Sequence, residues 1–261
     1  WIVINFCGVE NEKHEKLITI LKDHFTKNHS FDAVLVVGSV ARGDASTNSD
    51  IDLVFVTDDL NPSIQENIIP DNLGKSIGYK FVTTKYLNAV SKKGVEPARF
   101  ELFKAIPIIS KIPTLNNLLS EISAYPENLR IDKMESFYSQ LPVHLSYMEL
   151  AEYSQNAYLL SQTSEKMVLF GGRLILAYNR ILFPNRKQFI STLTKVDKKP
   201  KNIIELGDKL LRNPNISNAN DYCNRVMNYK DWSIPKEGCW DRFRRDSEMH
   251  WYINKPPLED C

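Results

Sequence analysis

Two short motifs, each abutting an apolar strand-like run, constrain this chain more than anything else in it. Val36-Val37-Gly38-Ser39-Val40-Ala41-Arg42-Gly43 closes the run that begins at Phe31, and Ser49-Asp50-Ile51-Asp52-Leu53-Val54 opens the next one about a dozen residues on. Successive side chains of a strand point to opposite faces, so two carboxylates separated by one apolar residue are expected to share a face. Gly38 lacks a Cβ, which lets backbone N–H groups close on a bound phosphate. A phosphate cradle followed by a carboxylate pair is the equipment of a two-metal phosphoryl-transfer site. Either half alone reads equally well as a turn or a solvated strand edge; order, spacing and flanking strands together carry the reading.

The surrounding pattern predicts the scaffold. Residues 10 to 29 place Leu17, Ile18, Ile20, Leu21 and Phe25 mostly on one face of a helix. Strand 31 to 37, a Gly-Ser turn with a short helix, and strand 51 to 57 follow as a strand, helix, strand unit. A polar loop over Asn61 to Gly74 leads to a strand over 77 to 83 and a helix over 84 to 92, ended by Lys92-Lys93-Gly94. Helix 97 to 105, strand 106 to 110 and helix 115 to 122 complete a mixed α/β unit near Tyr125-Pro126.

Beyond Asn128 the apolar spacing becomes helical throughout: Met134, Phe137, Tyr138 and Leu141, then Leu145, Met148 and Ala151, with Pro142 expected to separate two helices. Met167 to Leu182 is long enough for a buried helix, and Gly171-Gly172 permits close helix approach. Lys198-Lys199-Pro200 and Asn213-Pro214 punctuate further helices, and Trp232 to Trp251 reads as an amphipathic helix packing on them. The fold class is therefore α+β, with a mixed-sheet domain over residues 1–127 followed by an α-helical bundle over 128–261.

At 261 residues the chain can bury two modest cores. Its 33 Lys+Arg against 32 Asp+Glu give a formal net charge of +1, which argues against a dedicated nucleic-acid binder held by a broad basic surface. Cys7, Cys223, Cys239 and Cys261 lie far apart without metal or disulfide spacing, so reduced thiols are expected. No apolar run approaches the ~20 residues of a membrane span and the N-terminus carries no signal-peptide pattern, so the expectation is a cytoplasmic protein without membrane contact.

A strand ending in Gly-Ser, then Asp-apolar-Asp-apolar at this distance, resembles the nucleotidyltransferase fold superfamily, to which antibiotic nucleotidyltransferases and DNA polymerase beta belong. Gly38, Ser39, Asp50 and Asp52 match its motif residue by residue, while Ala41-Arg42-Gly43 and Ser49 look like the bacterial small-molecule branch that includes antibiotic-resistance enzymes. The resemblance covers the N-terminal half well and the C-terminal half in outline. It implies that Gly38 and Ser39 hold the triphosphate of ATP or another nucleoside triphosphate, with Arg42 and Ser49 as further contacts. It implies also that Asp50 and Asp52 bind magnesium, as two ions, and that the acceptor lies between the two halves. Arg42 reads equally as a solvated surface arginine.

The chain departs from that family at its third carboxylate, which usually stands on a later strand. Strand 77 to 83 contains no acid, and Lys80 sits where one is expected. Glu101 is the nearest downstream candidate for a general base, against the reading of an exposed helical Glu; Glu96 is a weaker one. Lys187 is the candidate for the lysine that related enzymes bring from the helical domain onto the triphosphate, against an ordinary helix-terminal cation. His144 reads as structural. The implied reaction moves a nucleoside monophosphate, AMP first, from the triphosphate to a hydroxyl of a small-molecule acceptor of aminoglycoside or lincosamide type, releasing pyrophosphate. Nucleotidylation of a protein or tRNA is the rival within enzymes, and a nucleotide-binding homologue without turnover the rival outside them. A homodimer is the oligomeric option that the resemblance brings.

Overall fold

The computed structural model describes residues 12–27, 31–59, 68–69 and 77–252. Cys7, Cys261 and most of the loop over 61–74 lie outside them. The chain forms two compact units, Trp1–Ala124 and Tyr125–Cys261, and the fold is α+β.

In the first unit, α1 (Glu12–Lys27) precedes β1 (Ala33–Val37), α2 (Gly38–Arg42) and β2 (Ile51–Val56). Then come β3 (Ile77–Val82), α3 (Thr84–Lys93), α4 (Glu96–Glu101), β4 (Ile106–Ser110) and α5 (Leu115–Ser123). The sheet order is β3-β2-β1-β4, with β1 antiparallel to both β2 and β4, and β2 parallel to β3. The period of two along each strand divides the core cleanly. Val34 and Val36 of β1 join Ile51, Leu53 and Phe55 of β2 under Ile18, Leu21 and Phe25 of α1. Leu35 and Val37 join Val54 and Val56 under Leu87 and Val90 of α3 and Leu118 and Ile122 of α5. Aromatic packing fixes β2 on the α1 side: the Phe55 ring lies 4.7 Å from Phe31 and stacks on Phe81 at 5.3 Å.

One buried cation, not singled out in the sequence, staples the helical layer. The Arg99 guanidinium donates to the carbonyls of Gly94 (3.2 Å), Glu121 (2.9 Å), Ile122 (3.3 Å) and Ala124 (3.4 Å), and to that of Ser91. It thereby ties α4 to the ends of α3 and α5. Arg99→Met strands these carbonyls, and urea unfolding is expected to show a loss of about 3 kcal/mol.

The second unit is helical: α6 (Arg130–Tyr153), α7 (Ala157–Tyr178), α8 (Phe189–Thr194), α9 (Ile203–Arg212), α10 (Ile216–Met227) and α11 (Cys239–Phe243). Pro142 does not separate two helices but lies inside α6. A helix-interior proline costs roughly 3 kcal/mol; here Leu141, Val143 and Met148 are fully buried around it, and that burial keeps the helix continuous. Close packing at Gly171 is as expected, since a Cβ there would meet the Tyr222 Oη at 2.6 Å. The segment from Trp232 is not one helix. Pro235 and Gly238, with φ +90, hold it irregular until α11, and a π turn over Arg244–Glu248 and a 3-10 turn over His250–Tyr252 follow. Arg242 anchors α11 by donating to the Asp132 carbonyl at 3.0 Å and pairing with its carboxylate at 2.8 Å. Cys223 and Cys239 are free thiols, and burial pushes Cys223 up to about 12. Among the described residues no helix is long and apolar enough to cross a membrane.

His144 is buried in this unit, and desolvation, assisted by the Lys166 ammonium, pushes its imidazole down to about 4. The unfolded chain takes up that proton near 6.5, so the stability due to the neutral buried ring is fully present above about 6.5 and is lost as pH falls toward 4. The loss is on the order of 3 kcal/mol at most. Urea unfolding at neutral and at acid pH is expected to show a shallower acid decline for His144→Phe than for the wild-type chain.

Candidate active site

The antiparallel register places Val37, the last residue of β1, opposite Asp52. The chain leaves β1 through Gly38 at φ +73, a left-handed backbone that residues with a Cβ avoid, and turns at once into α2. The two sequence motifs thus meet at one end of the sheet. A Cβ on Gly38 would lie 2.5 Å from the Asp52 Oδ2. On the other side the parallel register sets Gly78 of β3 beside Asp52, and a Cβ there would lie 2.9 Å from Oδ1. The Asp52 side chain therefore occupies space that two glycines leave open. Gly78 was not singled out by sequence reasoning, because only the pairing of β2 with β3 reveals its role.

Asp50 is exposed and stands one residue ahead of β2, so the strand's alternation does not itself orient it. It makes no hydrogen bond or ion pair among the described residues. Asp52 is also exposed at the edge of an otherwise buried strand. The loop carrying Asp50 is closed internally: the Ser49 hydroxyl accepts from the Ser46 N–H at 2.9 Å and lies 3.1 Å from the Ser46 hydroxyl. It is also tethered from outside, for His14 of α1, 1% exposed, holds the Ser49 carbonyl through Nε2 at 3.0 Å. No local pattern betrays His14, which lies 35 residues from its partner. His14→Leu is expected to cost about 1 kcal/mol and to speed amide exchange in the loop over residues 44–50.

The remaining candidates are placed as follows. Ser39 is half-buried at the start of α2. Arg42 ends α2 with its side chain 8% exposed, its guanidinium 3.3 Å from the Asp44 carboxylate and 4.7 Å from the centre of the Phe100 ring. Glu101 closes α4 and pairs with Lys80 of β3 at 2.6 Å, both side chains being 40% exposed. By strand period Gly78 and Lys80 share the face of Asp52, so β3 offers no acid there. Lys187 is exposed in the 3-10 turn Arg186–Gln188 of the second unit. Among the described residues, no three His, Cys, Asp or Glu side chains gather into a ready-made metal cage. A pair of carboxylates suits magnesium nonetheless, because that ion keeps waters and takes its other ligands from substrate phosphates. Both carboxylates are exposed, so water and phosphate oxygens can reach an ion held there.

Residues 14–168 match the family model described as "Nucleotidyltransferase domain". No curated protein matches the sequence. Among solved structures, the crystal structure of a nucleotidyltransferase-like protein from Exiguobacterium sibiricum 255-15 is similar at a TM-score of 0.47 and 12% identity, over 94% of this chain and 82% of that one.

Proposed function

Because the chain belongs to the nucleotidyltransferase domain family, whose chemistry is the transfer of a nucleoside monophosphate, we propose that it moves AMP from magnesium-bound ATP to a hydroxyl of a small-molecule acceptor. The observation that supports this most is the Val37–Asp52 register, which brings Gly38 beside the Asp52 carboxylate.

Ser39 and the backbone of the first turn of α2 hold the terminal phosphates, and Asp50 and Asp52 hold the ions. Magnesium supplies, when bound, the positive charge that stabilises the oxygens of an in-line displacement. The acceptor oxygen attacks the α-phosphorus, the bond from that phosphorus to the bridging oxygen breaks, and pyrophosphate leaves. The hydroxyl proton passes to Glu101, which the Lys80 ammonium orients, or to water. Arg42, held against Phe100 and Asp44, steadies the end of α2; Ser49 shapes the turn and offers a further phosphate contact; Lys187 is the candidate cation from the helical unit. An aminoglycoside or lincosamide is the acceptor class to screen first, and the cytoplasm the compartment in which ATP is met.

The Lys80–Glu101 pair also favours a second reading. With Glu101 engaged by Lys80 and no acid on the Asp52 face of β3, the chain would bind nucleotide without turning it over. Calorimetric titration with a non-hydrolysable ATP analogue, with and without magnesium, followed by pyrophosphate release over an acceptor panel, separates the readings. Magnesium-dependent binding with release supports transfer, binding without release under any acceptor supports the second reading, and no binding sinks both.

A further inference from the structure

The second unit holds a cavity of about 720 Å³ between α6, α7 and α11, a volume in the range of small-molecule sites. Its wall is largely aromatic. His144 lies parallel to Phe170 at 6.2 Å and edge-on to Phe243 at 5.6 Å, and Tyr147 packs on Phe243 at 6.0 Å. Gln140 adds an amide fixed by its bond to the Ser247 hydroxyl at 3.2 Å. Lys166 is the one charged side chain among the described lining residues, and it has no ion-pair partner among the described residues.

The buried histidine sets the polarity of that wall. The His144 Nδ1 is shut off from solvent with no hydrogen-bond partner. Burying an unpaired N–H is the costlier alternative for such a nitrogen, so the proton of the neutral ring belongs on Nε2. The ring then offers a donor, beside the Lys166 ammonium. A donor and an unpaired cation in a mostly apolar chamber suit an anionic oxygen group, and the rings around them suit a flat body. We propose that this cavity is a binding site for a flat aromatic molecule bearing a carboxylate. A polycationic ligand is disfavoured there, for none of the described lining residues carries a negative charge and the nearby Glu248 carboxylate already accepts from the Tyr147 hydroxyl at 3.4 Å.

The test needs no turnover, so its failure leaves the nucleotide reading of the first unit untouched. Calorimetric titration of the full chain with 2-naphthoate, with the neutral 2-naphthamide and with cationic 2-naphthylmethylammonium compares three charges on one ring system. Naphthoate is expected to bind at least tenfold more tightly than either of the others. Lys166→Gln is expected to bring naphthoate down to the level of the amide while leaving urea unfolding unchanged. Leu159→Trp, which fills the chamber from its rim, is expected to abolish the heat. Absence of naphthoate binding, equal affinity for all three probes, preference for the ammonium, or an anion preference that survives Lys166→Gln would each overturn the proposal.

Discussion

Asp52→Asn is expected to lower nucleotidyl transfer by roughly 10³-fold while shifting the melting temperature by no more than a few degrees. The substitution keeps the shape of the side chain and removes its charge. Asp52 is exposed, whereas the five other residues of β2 are buried, so the core has little stake in its ionisation. The charge matters instead to whatever cations accompany a triphosphate, since magnesium takes hard anionic oxygens and a carboxamide is a poor substitute. Asp50→Asn is expected to act in the same direction. Pyrophosphate release, read beside thermal melting, checks both; full activity in either variant would remove that residue from the site.

Gly38→Ala is expected to harm fold and function together. An alanine at φ +73 costs about 1–2 kcal/mol in backbone strain alone. Its Cβ would also come within 2.5 Å of the Asp52 Oδ2, so the carboxylate must move. A misplacement of about 1 Å in a phosphoryl-transfer site is worth on the order of 10²-fold in rate. Gly78→Ala separates the two effects: it brings a Cβ to 2.9 Å from the Asp52 Oδ1 without a left-handed backbone. It is expected to lose nucleotide affinity with a melting temperature closer to wild type. Equal melting losses in the two variants would show that crowding, not backbone conformation, dominates at Gly38.

The strands and the paired motifs were legible because their signals are local. Phe31 to Val37 and Ile51 to Val56 are apolar runs bounded by glycine, serine and aspartate, and such composition needs no partner to be recognised. What stayed hidden depends on pairing. The antiparallel register of β1 and β2 brings Gly38 to Asp52, and the parallel register of β2 and β3 brings Gly78 there. Neither register is written in the spacing of residues along the chain. Pro142 misleads for a related reason: its local cost is plain in the sequence, while the burial of Leu141, Val143 and Met148 that outweighs it is a tertiary fact. Arg99 shows the same thing from the polar side. A lone arginine in a short helix gives no hint that five backbone carbonyls will converge on it.

The hydrogen bond from His14 to Ser49 has a bearing on where this chain can be shortened. Helix α1 precedes the sheet in sequence, and its apolar side already roofs Phe31, Val34 and Phe55. Through His14 it also grips the loop that delivers Asp50. A chain trimmed to begin after Lys27 would retain both carboxylates and the glycine turn, yet release that loop and bare one side of the sheet. The smallest piece that can keep the Asp50 loop tethered therefore begins ahead of His14, well before the first residue proposed to touch a nucleotide.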